Sequence, residues 1–510
     1  MTLSHPQRVA IIGGGCTGVT CFWALQNFEH DVHLFEASAS LGGRIKTLPV
    51  EHNGIVTDVD TESPPFNAEA SPNLMSLLRC LGMNTSAVPF GFGVSKCDDT
   101  YEWCESVLRT LILKPELLCN LETCRTLLEI LWFKYLVMGP LKGESRRWGS
   151  NDIHESLSTH EYFSNEGHSE GLCDKYLAPL VSALWGTNAG RVLPEFPVKA
   201  LINSLSQHKL LSTRRNLVDF RRISDGTTQL IQSMTSNFPP SQVHLETRVR
   251  SISHRGKKQY GLVTADGREM SFDHVVFAID SDEILKLLGC SIDSEEKKTI
   301  QNLRTTKNIA VLHSDPLLTS GTDRPWPAIN YIIAPSPHPK HTTGAILSRK
   351  SSLTYNVNPL QDIPPCLFDR LYITLNPFIP PHPRYAHDIW EFTDPELSTT
   401  TLRAQSHLPS IQNTRGLSYG FRWTGRGFLE DAVTSGLQIA VEQLGARVPF
   451  EVVQHADPLE SGILEESDLR LREHVLRTVL CLVRVFVLVF EIFWIVFGSY
   501  IGWFGRKGKA

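Results

Sequence analysis

Short apolar runs separated by a glycine-rich break open the chain. Residues 9–12 form a continuous apolar run typical of a buried strand, and residues 17–27 carry apolar side chains at helical spacing. Residues 32–36 have the period-two character expected of a second strand. The pattern therefore predicts a strand, a helix and a second strand within the first 36 residues.

Longer elements follow downstream. Apolar spacing is helical from about residue 72 to 141 and mostly helical from 152 to 211. Residues 243–252 and 261–279 are β-rich, with a hairpin turn at Asp266-Gly267. Prolines interrupt residues 316–384, where strand-like pieces of high apolar content indicate a sheet with long loops.

The glycine-rich break has the spacing of a dinucleotide-binding turn. Gly13, Gly15 and Gly18 form G-x-G-x-x-G between the first strand and the helix. The first glycine permits the tight turn, the second lets backbone approach a pyrophosphate at the helix N-terminus, and the third lets the helix pack on the strand. Glu36 ends the second strand, where a carboxylate can accept both ribose hydroxyls and disfavours a 2′-phosphate. Together these features predict a site for the ADP half of a dinucleotide.

A second glycine-rich segment, Leu41-Gly42-Gly43-Arg44, follows the second strand. Paired glycines alone are typical of a surface turn, but a cation beside the expected pyrophosphate favours a cofactor contact. The segment resembles the extension of FAD-binding amine oxidases, phytoene desaturases and their relatives, in which the paired glycines and the arginine lie along the cofactor. The resemblance implies FAD rather than NAD, with Gly42, Gly43 and Arg44 among its contacts.

The resemblance continues over roughly residues 8–445. YLAPLVSALWGT, DGTTQLIQSM, FDHVVFAIDSDEILKLLG and RGLSYGFRWTGRGFLEDAVTSGLQIA keep the running order of a set of FAD/NAD-binding oxidoreductases related to flavin amine oxidases and associated with lipid modification. It implies that backbone around Val249 holds adenine. It also implies that a helix N-terminus faces the flavin and stabilises negative charge on the reduced ring. The flavin contacts implied in this segment are Trp423, Gly427, Glu430 and Asp431.

Several positions depart from that family's pattern. The family usually has glycine at the position of Phe421 and histidine at that of Leu429, and residues 62–71 also differ. Any activity that depends on that histidine is in doubt here. No cysteine lies in the C-terminal motif, where some amine oxidases attach flavin covalently, so we expect FAD to be bound non-covalently.

One lysine is a candidate catalytic residue. Lys307 lies where amine oxidases often place a lysine that holds a water against flavin N5. A surface lysine is the alternative interpretation.

Composition narrows the class of protein. The chain has 510 residues, 41% of them hydrophobic and 20% charged, with a formal net charge of −5, which indicates a globular protein too long for one ordinary core. Before the extreme C-terminus no Lys/Arg run suggests a nucleic-acid partner. The eleven cysteines form no C-x-x-C pair and no Cys/His cluster, which indicates reduced thiols rather than disulfides or a metal site.

These observations predict an α/β fold with a Rossmann-like FAD-binding domain assembled from discontinuous segments, and a substrate domain of helices and a mixed sheet. We expect an FAD-dependent oxidoreductase that transfers a hydride between an apolar, lipid or terpenoid-like substrate and flavin N5. An amine oxidase that releases hydrogen peroxide and a non-catalytic flavin-binding protein remain alternatives. The expected FAD-binding domain comprises residues 1–80, 215–290 and 405–450. The expected substrate domain comprises residues 81–214 and 291–404. Residues 451–474 are expected to form a linker and residues 475–510 a membrane anchor.

The apolar stretch at residues 485–504 predicts that the chain is anchored in a lipid bilayer. Twenty helical residues extend about 30 Å, which is enough for one bilayer core. No export signal precedes the first strand, so we expect the enzyme body to face the cytosol. Charges recurring every seven residues from Arg470 to Glu491 leave a helix lying flat on the membrane as an alternative.

Overall fold

The computed structural model describes most of the chain up to residue 454 and a few positions beyond it. The described residues are 6–61, 65–96, 101–104, 121–136, 157–165, 167–187, 189–210, 219–256, 259–318, 327–334, 351–454, 475, 478–479, 482–483 and 485.

Twenty strands are described. They are β1 (Arg8–Ile12), β2 (Asp31–Phe35), β3 (Thr47–His52), β4 (Ile55–Asp60), β5 (Phe66–Asn67), β6 (Thr85–Ala87), β7 (Phe92–Lys96), β8 (Tyr101–Cys104), β9 (Phe220–Ile223), β10 (Val243–His244), β11 (Val249–His254), β12 (Tyr260–Thr264), β13 (Glu269–Phe272), β14 (His274–Phe277), β15 (Thr305–His313), β16 (Ile329–Ile333), β17 (Ser351–Asn356), β18 (Tyr372–Leu375), β19 (Ala386–Pro395) and β20 (Leu417–Tyr419).

Fifteen α-helical segments are described alongside them, joined by short 3₁₀ or π turns such as Cys173–Leu177 and Arg422–Thr424. They are α1 (Cys16–Leu25), α2 (Pro72–Cys80), α3 (Leu121–Leu136), α4 (Thr159–Asn165), α5 (Glu170–Leu172), α6 (Ala178–Trp185), α7 (Ala189–Glu195), α8 (Val198–Gln207), α9 (Thr227–Thr235), α10 (Ser281–Leu288), α11 (Ser294–Ile300), α12 (Val357–Gln361), α13 (Pro365–Phe368), α14 (Thr399–Ile411) and α15 (Leu429–Gln438).

A five-stranded sheet in the order β10-β2-β1-β14-β20 carries the N-terminal segment. All four neighbouring pairs are parallel. Alternate residues of β1 enter different cores, since Val9 and Ile11 pack with α1 and α15, whereas Ala10 and Ile12 pack with the β11-β12-β13 sheet. Burial on both faces explains why the strand is a continuous apolar run rather than an alternating one. This sheet confirms the α/β class and places the glycine-rich turn at its carboxyl edge.

A seven-stranded sheet in the order β19-β15-β18-β17-β16-β7-β8 forms the second layer. It is antiparallel except where β7 runs parallel to β16. The largest apolar core lies between this sheet and the helices of residues 159–207. Mixed α/β architecture is therefore confirmed for the described part of the chain, including a sheet within residues 316–384.

The helical prediction for residues 72–141 was wrong in part. Helices α2 and α3 lie where the apolar spacing is strongest, but β6, β7 and β8 interrupt the interval between them. The segment from Phe92 to Lys96 is held as a strand by pairing with β16, so that Phe92 lies opposite Ile329. A partner more than 200 residues away leaves no local signal, and tertiary pairing overrides local propensity.

The predicted membrane segment, residues 485–504, lies outside the described residues except for Val485. Within the part of the chain that the structure describes, no helix is long and apolar enough to cross a bilayer.

Candidate cofactor site and active site

Two glycines of the turn after β1 are required by the fold itself. Gly13 has φ +106°, and a Cβ there would lie 2.3 Å from the carbonyl oxygen of Ala278. A Cβ on Gly18 would lie 1.9 Å from the carbonyl oxygen of Gly13. Both positions are therefore too crowded for any side chain, because α1 and β14 approach the turn closely.

Gly15 differs from its neighbours. It is the N-cap of α1 with an ordinary φ of −71°. Among the described residues, a Cβ added there would meet nothing nearer than Cε2 of Phe421, at 4.0 Å. The protein therefore has no steric need for glycine at this position. Open space above a helix N-terminus fits a pyrophosphate, because unpaired N–H groups and the helix dipole favour an anion.

Glu36 follows β2 at the same edge of the sheet. Its Oε2 accepts a hydrogen bond from the Gly14 amide at 2.7 Å, and its Oε1 accepts one from the Ser38 amide at 2.7 Å. Each carboxylate oxygen can accept a further hydrogen bond, so the ribose contact stays a prediction that this placement allows. The Thr247 amide donates to the Glu36 carbonyl, which leads the chain past this edge to the buried Val249. The adenine contact at Val249 likewise stays a prediction.

The paired glycines of the second glycine-rich segment lie beside the turn. The Gly42 amide donates to the Gly14 carbonyl at 2.8 Å, and a Cβ on Gly43 would lie 3.2 Å from Cα of Gly15. Their φ angles of +116° and +59° are left-handed values that favour glycine. The second glycine-rich segment is thus packed against the first at the expected cofactor edge.

Arg44 has a different environment from the one expected. Its guanidinium pairs with the Asp394 carboxylate on β19 and lies over the Phe392 ring, 4.0 Å from the ring centroid. Asp394 also accepts a hydrogen bond from Nδ2 of buried Asn308 at 3.1 Å, and Asn308 Oδ1 accepts one from Asn376. Arg44 therefore links the cofactor edge to the seven-stranded sheet. A contact between Arg44 and FAD stays a prediction.

Lys307 is exposed on β15. Successive side chains of a strand point to opposite faces, and it is the adjacent residue, Asn308, that donates to Asp394 of the partly buried Arg44–Asp394 pair. The catalytic role of Lys307 stays a prediction, and its exposure does not support it.

The loop before α15 is fixed by its own hydrogen bonds. Asp431 Oδ2 accepts from the amides of Arg426 at 3.0 Å and Phe428 at 2.8 Å, and Gly427 has φ +94°. Trp423 is fully buried and its indole N–H donates to the Ile279 carbonyl at 3.0 Å. The described structure therefore holds this loop against the end of β14, where the resemblance implies a flavin contact.

The side chain of Glu430 lies at the N-terminus of α2. Its carboxylate accepts there from the amides of Asn73 at 3.0 Å and Leu74 at 2.7 Å. Thr434 also donates to it. These amides are among the four that a helix leaves without a partner at its start. The Glu430 side chain therefore connects α15 to α2, and the flavin contact implied for the backbone of this segment stays a prediction.

A cavity of about 60 Å³ lies between the two sheets beside this loop. One wall is apolar and consists of Leu184, Trp185, Phe428 and Leu429. The Trp185 and Phe428 rings are stacked with centroids 5.9 Å apart, and the buried Trp185 indole nitrogen has no acceptor among the described residues. Arg44 and Asp394 line the opposite side as an ion pair. The sequence did not predict roles for Trp185, Phe428 or Asp394, because they come from three distant elements.

The parallel sheet, the glycine turn and the open space over Gly15 together define a dinucleotide-binding flavoprotein. The family model for flavin containing amine oxidoreductases matches residues 16–315, which is more than half of the chain. The chain belongs to this family and is an FAD-dependent oxidoreductase. The sequence of the C-terminal motif has no cysteine for covalent attachment, in agreement with non-covalent FAD.

Individual relatives extend the comparison. The L-amino acid oxidase of Bothrops pictus is 43% identical over 53 residues, which are 10% of this chain and 11% of that protein. The chain thus matches only about a tenth of the length of this curated relative. Among solved structures, a fatty acid isomerase from P. acnes has a TM-score of 0.54 at 13% identity, covering 87% of this chain and 99% of that one. Cyclohexylamine oxidase from Brevibacterium oxydans has a TM-score of 0.56 at 14% identity, covering 86% and 100%. At these identities the structural likeness concerns the fold alone.

Proposed function

We propose that the chain oxidises or reduces a substrate with a largely apolar body, one end of which enters the cavity lined by Leu184, Trp185, Phe428 and Leu429. A volume of about 60 Å³ holds only a few non-hydrogen atoms. The apolar wall is the observation that carries this proposal. Four arginines and two aspartates also line the cavity, and Arg44 and Asp394 form an ion pair, so the lining does not favour a cationic substrate. An apolar wall also excludes water from the reacting groups.

The residues of the nucleotide edge fit FAD. The backbone at Gly15 and the start of α1 would hold the pyrophosphate, Glu36 the ribose, and the loop before α15 the flavin ring. When bound, FAD supplies two-electron redox chemistry, whereas the protein supplies orientation and a dry pocket.

Two residues would set how the substrate lies. The Trp185 indole N–H can donate to a polar group of a bound molecule, because buried donors require a partner. Leu429 supplies no proton acceptor at the position where relatives usually have histidine. We infer that the protein contributes to catalysis by positioning the substrate in the apolar cavity, and not by proton transfer at residue 429.

Amine oxidation is the second candidate. The family match and the short L-amino acid oxidase matches favour it. An amine substrate would bring a cation into a cavity lined by four arginines and two acids. Of these acids, Asp394 is already paired with Arg44, and Asp60 already accepts hydrogen bonds from Thr47 and the Thr227 amide. That competition makes an apolar substrate the better proposal.

The test is anaerobic incubation of the FAD-loaded protein with fractions of a lipid extract, with a panel of primary amines and with L-amino acids. We expect lipid fractions to bleach the flavin absorbance and to yield a mass-shifted product. Bleaching by amines or amino acids, with peroxide release when air is then admitted and no response to lipids, would replace the proposal by amine oxidation. A flavin that none of the three classes bleaches, and that none of them reoxidises after reduction with dithionite, would indicate a non-catalytic protein. Gly15→Val protein, prepared without FAD, gives the background.

We further propose that the C-terminal segment anchors the chain in a lipid bilayer. Thirteen of residues 485–504 are Val, Leu, Ile or Phe, which together favour insertion by roughly 4–8 kcal/mol, and Glu491 opposes it by at most about 2.5–3.5 kcal/mol. The described positions just before this segment are helical, and Val475, Val479 and Leu482 are exposed on one helical face. Apolar side chains that the enzyme body leaves uncovered support an interaction with lipid.

Fractionation tests the anchor. Full-length chain should stay in the membrane pellet after alkaline carbonate washing, whereas the 1–470 chain should be released, because it keeps the described sheets and lacks the apolar segment. A matched full-length control carries Phe490→Lys and Phe493→Lys, each costing about 2.5–3.5 kcal/mol of insertion, and should also be released. Soluble full-length chain, or a 1–470 chain that pellets equally, would refute the anchor.

A further inference from the structure

We propose that the side chain of Phe421 lowers the affinity of the chain for FAD, because its ring borders the space in which the pyrophosphate would lie. This inference rests on the FAD assignment in the proposed function. Phe421 lies at a position where the family that the chain resembles usually has glycine.

The backbone around Phe421 brings its ring to the nucleotide edge. Strand β20 lies parallel to β14, and the Gly420 amide donates to the Phe277 carbonyl at 2.9 Å, which extends the pairing to the start of the loop. Phe421 itself is extended, with φ −168° and ψ 177°, a conformation that any residue adopts. The backbone conformation therefore neither requires nor excludes glycine at position 421. The difference between glycine and phenylalanine here is the space that the side chain occupies.

That space faces the start of α1. Phe421 Cε2 lies 4.0 Å from the position that a Cβ on Gly15 would have, and it is the nearest atom found in that direction among the described residues. The ring is half-buried and packs beside Trp423, with centroids 6.4 Å apart. A hydrocarbon ring thus borders the one part of the glycine turn that the protein leaves open for an anion.

The ring and a bound pyrophosphate compete for this position. The loop backbone is held in place, because the Phe421 carbonyl accepts from the Thr424 amide at 3.0 Å and from the Thr424 hydroxyl at 2.7 Å. Release of the space therefore requires rotation of the Phe421 side chain rather than movement of the loop. Only molecules with the ring displaced can bind the pyrophosphate. The apparent dissociation constant for FAD is therefore the intrinsic constant divided by the fraction of such molecules.

The experiment measures the affinity of the FAD-free full-length chain for two probes, FAD and ADP. ADP contains the pyrophosphate and lacks the flavin, so an effect seen with both probes arises at the pyrophosphate. We expect Phe421→Ala and Phe421→Gly to bind each probe at least about tenfold more tightly than the unmodified chain. A tenfold change corresponds to a ring that is displaced in about one molecule in ten of the unmodified chain. Phe421→Leu, which keeps an apolar side chain of smaller reach, should give an intermediate value and serves if the smaller variants fail to fold.

Phe450→Ala is the matched control, since Phe450 is a half-buried aromatic residue that stacks on Trp23, near the end of α1 that lies farther from Gly15. Its affinity for ADP should equal that of the unmodified chain. Equal or weaker binding of both probes by the Phe421 variants would overturn the inference and leave the FAD assignment intact. If neither the unmodified chain nor any variant binds FAD, the FAD assignment itself fails and the inference fails with it.

Discussion

Gly15→Val is expected to give a folded protein that has lost FAD. The fold leaves room for a side chain at Gly15, whose φ of −71° suits any residue, so the cost to stability should be about 1 kcal/mol for a poor N-cap. The same side chain would occupy the space over the α1 N-terminus and keep the pyrophosphate from the backbone amides. We expect the affinity for FAD to fall at least about 100-fold, corresponding to about 2.7 kcal/mol. Flavin absorbance after gel filtration and a thermal melt measure the two effects.

Gly18→Val is the matched control three residues later. Its Cβ would lie 1.9 Å from the Gly13 carbonyl oxygen, a contact that only movement of α1 away from β1 can relieve. This variant should lose the fold together with the cofactor, whereas Gly15→Val should lose the cofactor alone. If Gly15→Val retains stoichiometric FAD, or if both variants unfold, the interpretation that Gly15 is required for ligand binding and not for packing is wrong.

The second large effect is expected from Glu430→Ala. The Glu430 carboxylate is 2% exposed and accepts from two backbone amides at the start of α2. Its removal leaves buried N–H groups without acceptors and uncouples α2 from α15, which should lower the free energy of unfolding by roughly 2–4 kcal/mol. Glu430→Gln keeps one acceptor oxygen and should lose less. Denaturant unfolding of the FAD-free chain measures the difference without a contribution from the cofactor.

Glu442→Ala provides the comparison for Glu430→Ala. Glu442 is an exposed acid in the same C-terminal region and should change stability by no more than about 0.5 kcal/mol when replaced. A Glu430→Ala protein as stable as Glu442→Ala would show that the α2 contact contributes little. A Glu430→Ala protein of normal stability with impaired flavin binding would instead indicate that the side chain of Glu430 takes part in flavin binding.

The glycine turn could be predicted from the sequence because its information is local. Gly13, Gly15 and Gly18 lie within six residues, and the strands beside them are recognised by their apolar pattern. The motif does not distinguish glycines that the fold requires from the one that a ligand requires. That distinction needed the positions of Ala278 and Phe421, which approach the turn from much later parts of the chain.

The environments of Arg44 and Glu430 could not be predicted for the opposite reason. Arg44 pairs with Asp394, 350 residues further along the chain, and Glu430 contacts Asn73, 357 residues earlier. Nothing in the local pattern around either residue indicates such a partner. The resemblance implies a cofactor contact for both segments, but the direction of each side chain depends on packing between distant elements.

The assembly of the five-stranded sheet from distant segments also constrains how the protein is made. Strands β1 and β2 leave the ribosome early, yet the neighbour of β1 on its other side ends at residue 277, and β20 follows only at residues 417–419. During synthesis the open edge of β1, and later that of β14, exposes unpaired backbone groups and apolar faces that favour aggregation. Because these pairings are far apart in sequence, we expect slow refolding from denaturant and a need for chaperones during translation. Chains that stop before residue 417 would leave the β14 edge permanently open.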